Sequence, residues 1–368
     1  MKLIKLLRKF RRVVSSYEPL VEILISQKKL IGNLRYYQQL YPEVSVAPVL
    51  KSNAYGHGLV EVAEILDKEN LPFFCVDSLY EALLLRKLGI RTKILVIGYT
   101  SPSNINAGKQ KDFSFAITSL SHLQDLAQNL KNPTEFHLKI DTGMHRQGIT
   151  MRELPEAALI IKSSGKINLA GIYSHLSDAA DEAFTRQQIV HWNKAVADLR
   201  KDFPELRFFH LSATSGVRFS KEISANAIRI GLGLYLANPV LCLRSIVTSV
   251  KNVDKGEFVG YDRTLQAVQP MKIATVPVGY FEGVDLRLSN RGYFKVNDIF
   301  CPIAGRVSMN ITTIDASSIS SIKAGETVTV ISNQPEDLNS AENIAKICGT
   351  IPYEILIHIP SYLRRTVV

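Results

Sequence analysis

The sequence predicts an α/β protein that consists of a (β/α)8 barrel followed by a C-terminal, mostly antiparallel β domain. Two observations predict the barrel: eight short apolar runs lie between residues 44 and 231, and amphipathic helical patterns separate several of them. This alternation is typical of parallel strands covered by helices on both faces. A third observation predicts the β domain, because short β-like runs separated by turn residues follow one another after about residue 240. A doubly wound open sheet competes for the first part, and the strand count of eight favours the barrel.

The eight predicted barrel strands are short and nearly continuous in apolar residues, as strands buried on both faces are. They are VSVAPVL (44–50), FFCV (73–76), ILVIG (94–98), SFAIT (114–118), EFHLKI (135–140), LAGIYS (169–174), RFFHL (207–211) and AIRIG (227–231). Three helical patterns between them are clear, with apolar residues three and four positions apart. They lie at 59–66, from about Ser78 through EALLLRKLG, and at 182–202 before Pro204.

The C-terminal part predicts strands at LRSIVTSV (243–250), MKIATVPV (271–278), YFKV (293–296), TTID (312–315) and TVTVIS (327–332). One short helix, around 340–347, interrupts them. We expect residues 18–26 (EPLVEILIS) to add a strand to this domain. The predicted division is therefore a basic tail at 1–17, the added strand at 18–26, the barrel at 27–239 and the β domain at 240–368.

The charge distribution argues against nucleic acid as a partner. The formal net charge is +10, but six basic residues and no acidic residue lie in the first twelve positions. The rest of the chain is nearly balanced, with 38 basic and 34 acidic residues. Charges interrupt the apolar residues of the first segment, so we expect no secretory signal. The chain has no uncharged apolar stretch long enough to cross a bilayer, so we expect no membrane span. A frayed tail and weak attraction to an anionic surface both remain open for this segment.

Four cysteines are scattered along the chain without CxxC pairs or the spacing of metal ligands: Cys75, Cys242, Cys301 and Cys348. In a chain of this length they are expected to be buried, reduced thiols of a cytoplasmic protein, and no metal site is expected. The early strands also lack a Gly-rich dinucleotide fingerprint, which disfavours a nicotinamide cofactor.

Lys51 lies just past an apolar strand, in the segment PVLKSNAYGHG (48–58). The carboxyl ends of barrel strands face the active site. A lysine in a partly dry pocket loses proton affinity and acts as a nucleophile or base. A lysine that merely extends out of the barrel mouth fits this position equally well, so position alone leaves both interpretations open.

The segment KSNAYGHG resembles KANAYGHG, the cofactor-lysine motif of alanine racemases. The resemblance implies that Lys51 forms a Schiff base with pyridoxal 5'-phosphate and that Tyr55 donates a hydrogen bond to its phosphate. Gly56 and Gly58 then allow the sharp turn into the next helix.

Two further segments resemble this family around the substrate. HLKIDTGMHRQG (137–148) is similar to HLKxDTGMxRxG. The resemblance implies that Arg146 lies near the phenolic oxygen of the cofactor and the substrate carboxylate. It also matches Lys139 to a lysine that some members carry as a carbamate, and a structural ion pair between Lys139 and Asp141 is the alternative. GIYSHLSDAADE (171–182) implies a supporting role for His175, which would hold an arginine and polarise the catalytic tyrosine.

The phosphate and pyridine contacts come from two later segments by the same resemblance. HLSATSG (210–216) resembles the phosphate-binding turn and gives Ser215, while AIRIGLGLY (227–235) gives Gly231 and Leu232 as backbone N–H donors. Arg229 would face the pyridine nitrogen. Because an arginine does not readily give up a proton, it would leave that nitrogen unprotonated and the ring a weaker electron sink. This favours racemisation over transamination.

The C-terminal domain supplies four matches: VGYDRTL, VPVGYFEG, IAGRVSMN and PYEIL. Tyr261 corresponds to the second catalytic base, Tyr280 to a residue of the substrate entrance and Met309 to a backbone contact with the substrate carboxylate. Tyr353 corresponds to a phosphate and pocket residue. Several neighbours depart from the family pattern: His145, Gly260, Asp262, Glu282, Ser308 and Asn310. The charge changes at Asp262 and Asn310 fall near the entrance and concern substrate size selection and affinity, whereas the residues of the chemistry are intact.

The resemblance implies an isomerase that interconverts L- and D-alanine by two-base proton transfer on a pyridoxal-phosphate aldimine. Lys51 would serve one face and Tyr261 the other, with Tyr261 supplied by the partner of a head-to-tail homodimer. Three alternatives stay open: a racemase of serine or lysine, a non-enzymatic pyridoxal-phosphate-binding protein, and a decarboxylase. The β domain with its tyrosine disfavours the second, and Arg229 disfavours the third.

Overall fold

A computed structural model describes residues 18–108 and 113–368. The predicted basic tail at 1–17 lies outside the described residues. The chain forms two compact units. The barrel unit is Gln27–Asn238, and the β unit joins the described residues before Gln27 to Pro239–Val368.

The barrel unit contains eight parallel strands that correspond to the eight apolar runs. They are β2 (Ser45–Pro48), β3 (Phe74–Val76), β4 (Ile94–Val96), β5 (Phe113–Ile117), β6 (Thr134–Asp141), β8 (Ile167–Tyr173), β9 (Phe208–His210) and β10 (Ala227–Ile230). A two-residue strand, β7 (Ile149–Thr150), pairs with β6.

Hydrogen bonds join these strands into a ring. β3, β4, β5, β6, β8 and β9 pair in that order, and β10 pairs with β2. A parallel bridge between Val49 and Cys75 connects β2 to β3. On the other side, the Arg229 N–H donates to the Ser212 carbonyl at 3.0 Å and connects β10 to the segment after β9. The carboxyl ends of all eight strands therefore face one end of the ring.

Helices follow most of the barrel strands. They are α1 (Gln27–Leu40), α2 (Lys51–Tyr55), α3 (Leu59–Leu66), α4 (Leu79–Lys87), α5 (Pro102–Ala107), α6 (Leu120–Asn129), α7 (Leu154–Ser164), α8 (Glu182–Asp202) and α9 (Leu232–Leu236), with a 3-10 helix at Thr214–Glu222. Capping side chains fix the N-terminal ends of several helices. The side chain of Ser78 accepts the N–H of Glu81 at the start of α4, and that of Asp181 accepts the N–H of Phe184 at the start of α8. The helix α8 ends two residues before Pro204, as the sequence predicts.

The β unit is built from a six-stranded sheet, a three-stranded sheet and a two-stranded hairpin. Its strands are β1 (Glu22–Ile25), β11 (Leu241–Ile246), β12 (Ser249–Val253), β13 (Phe258–Val259), β14 (Leu265–Gln266), β15 (Met271–Val276), β16 (Tyr293–Val296), β17 (Ile299–Pro302), β18 (Thr312–Asp315), β19 (Thr327–Ile331) and β20 (Arg365–Val367). β1 pairs antiparallel with β11 and parallel with β20. The other pairings in this unit are antiparallel.

The β unit differs from the sequence prediction in several elements, since the sequence does not predict the strands β13, β14, β17 and β20. The apolar run 243–250 is divided at Val247 and Thr248, because β11 belongs to the six-stranded sheet and β12 to the three-stranded sheet. Two helices are present near the C-terminus rather than one: α10 (Ala341–Cys348) and α11 (Pro352–Ile357). Proline at the first position of α11 has a backbone angle that suits a helix start.

Candidate active site

Lys51 begins a turn with an uncommon backbone conformation. Ser52, Asn53 and Ala54 have φ values of 56°, 56° and 51°, and Tyr55 has 53°, all in the left-handed region. Left-handed backbone costs a non-glycine residue about 1–2 kcal/mol. Such conformations persist only where the surroundings enforce them, and they occur often at functional sites. The glycine after the turn, Gly56, has φ 83° and ends it without this cost.

The side chain of Asn53 and a carboxylate from the next βα unit fasten this turn. The Leu59 N–H donates to Asn53 Oδ1 at 2.8 Å, and the Asn53 N–H donates to Glu81 Oε1 at 3.2 Å. Ala54 is fully buried beneath them. The direction in which Lys51 leaves the barrel strand is thereby fixed.

Tyr55 lies against the segment that follows β10. A Cβ atom on Gly231 would lie 2.5 Å from the Tyr55 hydroxyl oxygen, so this glycine leaves room for the hydroxyl group. The Tyr55 ring also packs against Tyr235, with centroids 5.2 Å apart. The structure therefore brings together Tyr55, Gly231 and Leu232, three residues predicted to contact the phosphate.

The 3-10 helix Thr214–Glu222 meets the same segment. Thr214 Oγ1 accepts the N–H of Gly233 at 3.1 Å, and the predicted phosphate residue Ser215 follows it with an exposed side chain. A buried tyrosine of α1, Tyr37, places its hydroxyl group against Gly233. Sequence reasoning missed Thr214 and Tyr37. The ATS string around Thr214 offers a signal, but nothing distinguishes Tyr37 from other helical tyrosines.

Arg229 lies inside the barrel and is held on several sides. It is only 5% exposed. Its guanidinium donates to the His210 carbonyl at 2.6 Å, the Ser174 carbonyl at 2.6 Å and the Leu211 carbonyl at 3.1 Å. It also lies 5.2 Å from the centroid of the Tyr173 ring. These contacts fix the plane and position of a permanent cation.

The hydrogen bonds of Arg229 also set the protonation of two histidines. Arg229 Nη1 lies 2.7 Å from His210 Nδ1, and His210 Nε2 lies 2.8 Å from His137 Nδ1. An arginine only donates, so His210 Nδ1 must accept and its proton must lie on Nε2. That proton is donated to His137. Burial lowers the pKa of His137 to about 3 and that of His210 well below the usual range, so both rings are neutral.

His175 follows β8 and lies close enough to four basic side chains for their charges to affect its pKa. Burial lowers its pKa to about 3, and the positive charges of Arg229, Arg146, Lys139 and Lys51 add to this effect. Arg229 Nη2 lies 3.4 Å from His175 Nδ1. The predicted contact between His175 and the arginine is therefore present in the structure, and the neutral ring accepts the hydrogen bond.

Lys139 donates a hydrogen bond to Gln147 Oε1 at 3.1 Å. The Asp141 carboxylate instead lies 3.2 Å from the His145 ring and accepts the N–H of Gly143. The structural ion pair between Lys139 and Asp141, which the sequence left open, is therefore not formed. Burial, with the nearby charges of Arg146, Arg229 and Lys51, lowers the pKa of Lys139 to about 8.

Three of the predicted residues of the β unit line one open pocket of about 680 Å³: Tyr261, Tyr280 and Met309. Tyr261 lies in the loop between β13 and β14 and is 69% exposed. The Tyr280 N–H donates to the Ser308 carbonyl at 3.1 Å, which joins the two segments that line the pocket. Tyr353 lies on α11 and does not line this pocket.

Glu282 and Asn310, two of the departures noted above, contact each other beside this pocket. Asn310 Nδ2 donates to Glu282 Oε1 at 2.7 Å, and the other oxygen, Oε2, accepts the Gly279 N–H at 2.8 Å. Glu282 is 8% exposed. The contact therefore fixes the turn that carries Tyr280.

Comparison with known proteins identifies the family. The family model "Alanine racemase, N-terminal domain" matches residues 25–239, and "Alanine racemase, C-terminal domain" matches residues 240–367. The chain belongs to the alanine racemase family. It is an amino-acid racemase by class, and the family is known to depend on pyridoxal phosphate.

Relatives and solved structures agree with this assignment to the alanine racemases. The chain is 32% identical to the alanine racemase of Carboxydothermus hydrogenoformans, over 91% of this chain and 96% of the relative. It is also 32% identical to that of Fusobacterium nucleatum, over 94% and 98%. The alanine racemase structure from E. faecalis aligns with TM-score 0.87 at 28% identity, over 95% and 98% of the two chains. The Bacillus anthracis structure aligns with TM-score 0.87 at 27% identity, over 96% of each chain.

These neighbours confirm the predicted fold class of this racemase. Further findings concern membrane-spanning helices, metal sites and cysteines. In the described part of the chain, no helix is long and apolar enough to cross a membrane. Over the same residues, no group of histidine, cysteine and acidic side chains could hold a metal ion, and the four cysteines are buried and form no disulfide.

Proposed function

We propose that this chain interconverts L- and D-alanine with pyridoxal phosphate held by Lys51, and that Lys51 and Tyr261 are the two proton carriers. The observation that carries the proposal is the group of four basic side chains around His175: Arg229, Arg146, Lys139 and Lys51. Such a concentration of positive charge suits an anionic cofactor and an amino-acid carboxylate.

The donor groups of the barrel unit fit this cofactor. Lys51 would hold it through Nζ, with Tyr55 and Ser215 as hydroxyl donors and Gly231 and Leu232 as backbone donors to the phosphate. The space at Gly231 supports this fit, because a Cβ atom there would displace the Tyr55 hydroxyl group. Tyr353 of the β unit would be a further phosphate residue. When bound, pyridoxal phosphate supplies an electron sink that acidifies the α-proton of an amino acid.

Arg229 would face the pyridine nitrogen and limit the reaction to proton exchange. Its other contacts are carbonyls and neutral imidazoles, with no carboxylate among them. As a group that keeps its protons, Arg229 would leave the nitrogen unprotonated. The bound cofactor would then supply a weaker electron sink, which would favour return of the proton to the α-carbon over proton transfer elsewhere.

Racemisation requires a proton carrier on each face of the α-carbon. Lys51 Nζ would take or return the proton on one face, and the Tyr261 hydroxyl group would do so on the face of the L-isomer. We propose a head-to-tail homodimer in which the partner subunit's Tyr261 completes each site. The high exposure of Tyr261, Tyr280 and Met309 in one chain supports this arrangement.

The substrate carboxylate would be bound by Arg146 and by the backbone N–H of Met309, while Tyr280 would narrow the entrance. This narrowing favours alanine over larger amino acids. We further propose that Lys139 carries a carbamate that orients Arg146. Its pKa of about 8 leaves a substantial fraction of neutral amine near that pH, and neutral amines are the form that adds to carbon dioxide. The nearby cations would stabilise the anionic product.

The function is tested with purified protein and a panel of L-alanine, L-serine and L-lysine. We expect the fastest racemisation with alanine and a visible absorbance band that borohydride bleaches. Lys51→Ala should lose the lysine-linked band, whereas Tyr261→Ala should keep the band and lose racemisation. Near-normal activity of Tyr261→Ala, or a higher rate on lysine than on alanine, would contradict the proposal.

Mixing the two inactive variants tests the dimer. In a head-to-tail dimer of Lys51→Ala with Tyr261→Ala, one of the two sites contains both wild-type residues and the other contains neither. Random exchange of subunits should then restore about a quarter of the wild-type activity. If Lys51 and Tyr261 act within one chain, no mixed dimer contains an intact site and activity stays absent.

A further inference from the structure

The loop that carries Tyr261 has positive φ values on both sides of this residue, and the two non-glycine residues that follow it are strained. Its neighbours Gly260, Asp262 and Arg263 have φ values of 76°, 58° and 50°, all in the left-handed region. Glycine is common after this tyrosine in the family, so Asp262 replaces a residue that adopts this conformation freely. Two consecutive non-glycine residues in this region require contacts that hold them there.

One contact is an ion pair between the Asp262 carboxylate and Arg306. A second contact lies on the far side of the loop, where Asn290 Nδ2 donates to Thr264 Oγ1 at 3.2 Å. Asn290 Oδ1 in turn accepts the N–H of Gly305 at 2.7 Å. The loop is therefore fastened at both ends to the segment around residues 305 and 306, which leads directly to Met309.

We propose that the Asp262–Arg306 ion pair is a positioning element that holds the Tyr261 side chain for proton transfer. The role of Tyr261 rests on the proposed function, whereas the effect of the pair on the loop stands on the geometry alone. Arg306 and Asp262 are also the only charged residues among those that line the Tyr261 pocket in the described structure. The pair therefore fastens the loop without adding net charge beside the substrate.

The effect should be local. The side chains of Asp262 and Arg306 are 57% and 45% exposed, and exposed ion pairs add little to global stability. A displacement of Tyr261 by a fraction of its hydrogen-bonding distance nevertheless slows proton transfer strongly. If the pair positions Tyr261, breaking it should slow proton transfer and leave the melting temperature nearly unchanged. If the pair instead stabilises the fold, breaking it should lower the melting temperature.

Four variants distinguish a positioning role of the ion pair from a stabilising role. Asp262→Asn removes the charge but keeps the size of the side chain and the tolerance for left-handed backbone. Arg306→Gln breaks the pair from the other side, and Arg306→Lys keeps the positive charge. Asp202→Asn is the matched control, because it removes the exposed ion pair with Lys162 on the barrel unit, whose side chains are 46% and 43% exposed.

The first readout is hydrogen–deuterium exchange of residues 260–264, measured by mass spectrometry on the holoenzyme and on the cofactor-free protein. We expect at least about threefold faster exchange in Asp262→Asn and Arg306→Gln in both forms, with the melting temperature within about 2 °C of wild type. Unchanged exchange in these two variants overturns the proposal. A fall in melting temperature that accounts for the faster exchange also overturns it.

The second readout is alanine racemisation. Asp262→Asn and Arg306→Gln should lower kcat by about tenfold while KM changes by less than about threefold, and Arg306→Lys should recover most of kcat. Equal losses in Arg306→Lys and Arg306→Gln overturn the role of the charge. If wild-type protein does not racemise alanine, the proposed function fails, and the exchange measurement still decides whether the pair orders the loop.

Discussion

At the scale of single residues, the contact between Glu282 and Asn310 illustrates how two substitutions adjust to each other. The family pattern has aspartate at both positions, whereas this chain has a longer carboxylate facing an amide. The amide supplies the donor that a carboxylate needs, and the two side chains carry one negative charge between them. The turn that carries Tyr280 is thereby held without repulsion.

Asn310→Asp should therefore destabilise the protein in a pH-dependent way. Two carboxylates about as close as the present 2.7 Å contact share a proton, so the pKa of the pair rises above the value of about 4 in the unfolded chain. The penalty is absent below that pH and grows as the pH rises through the raised folded pKa. We expect the variant to lose about 1–2 kcal/mol at pH 8 and less at pH 5, measured by urea unfolding.

Asn310→Ala is the control for this prediction. It leaves Glu282 Oε1 without its amide donor but adds no second carboxylate, so its loss of stability should be the same at pH 5 and pH 8. Equal pH dependence in the two variants would show that repulsion between the carboxylates is not the cause.

Several site residues could be assigned from sequence because short motifs carry them. Lys51 and Tyr55 are neighbours along one turn, and Arg229 and Gly231 are neighbours along one strand end. Their partners could not be assigned, since they come from distant segments. His210 on β9 contacts Arg229 on β10, and no sequence feature near His210 predicts that contact.

At the scale of elements, the left-handed turn after Lys51 is the clearest case of structure maintained against local preference. Ser52 is exposed, so a substitution there changes the strain of its left-handed backbone without removing buried side-chain contacts. The left-handed conformation of the turn is enforced by the hydrogen bonds of Asn53 and by the burial of Ala54.

Substitutions at Ser52 should report this strain directly. Ser52→Gly relieves the left-handed cost but loses some stability through the more flexible unfolded chain, so its net effect should be small. Ser52→Val is β-branched and is strongly disfavoured at positive φ. We expect the valine variant to be less stable than the glycine variant by about 2 kcal/mol in urea unfolding. Equal stabilities would mean that Ser52 is not strained in solution.

The same scale shows what sequence patterns capture. The eight barrel strands are visible because most of their residues are buried and apolar, although β6 and β10 also carry the buried polar side chains Lys139 and Arg229. The division between β11 and β12 is not visible, because no glycine, proline, asparagine or aspartate separates them and their pairing partners lie far away in the sequence. The helix α11 has six residues, fewer than two turns, so its periodicity is too short to distinguish from a strand.

At the scale of the whole molecule, buried neutral histidines tie stability to pH. His137, His175 and His210 lie inside the barrel unit, and the pKa of each is lowered chiefly by burial. In the unfolded chain each would titrate near pH 6.5. Between that pH and a folded pKa of about 3 for His137 and His175, the unfolded chain binds protons that the folded chain does not.

The contribution of these histidines to stability should therefore be fully present above pH 6.5 and be lost progressively as the pH is lowered toward the folded values. Each histidine contributes a slope of about 1.4 kcal/mol per pH unit in this window, or about 4 kcal/mol per unit for the three together. Carboxylates with lowered pKa values, such as Glu135, add their own losses only at lower pH.

His137→Gln tests this linkage without removing the hydrogen bond, because the amide oxygen can accept the proton of His210 Nε2. The variant should show a slope between pH 6 and pH 5 that is smaller by about 1.4 kcal/mol per pH unit than the wild-type slope. The measurement is urea unfolding at a fixed protein concentration, which keeps any effect of association constant. The same substitution at exposed His358 is the control. Since packing changes shift the whole curve but not its slope, an unaltered slope in His137→Gln would show that this histidine does not couple folding to protons.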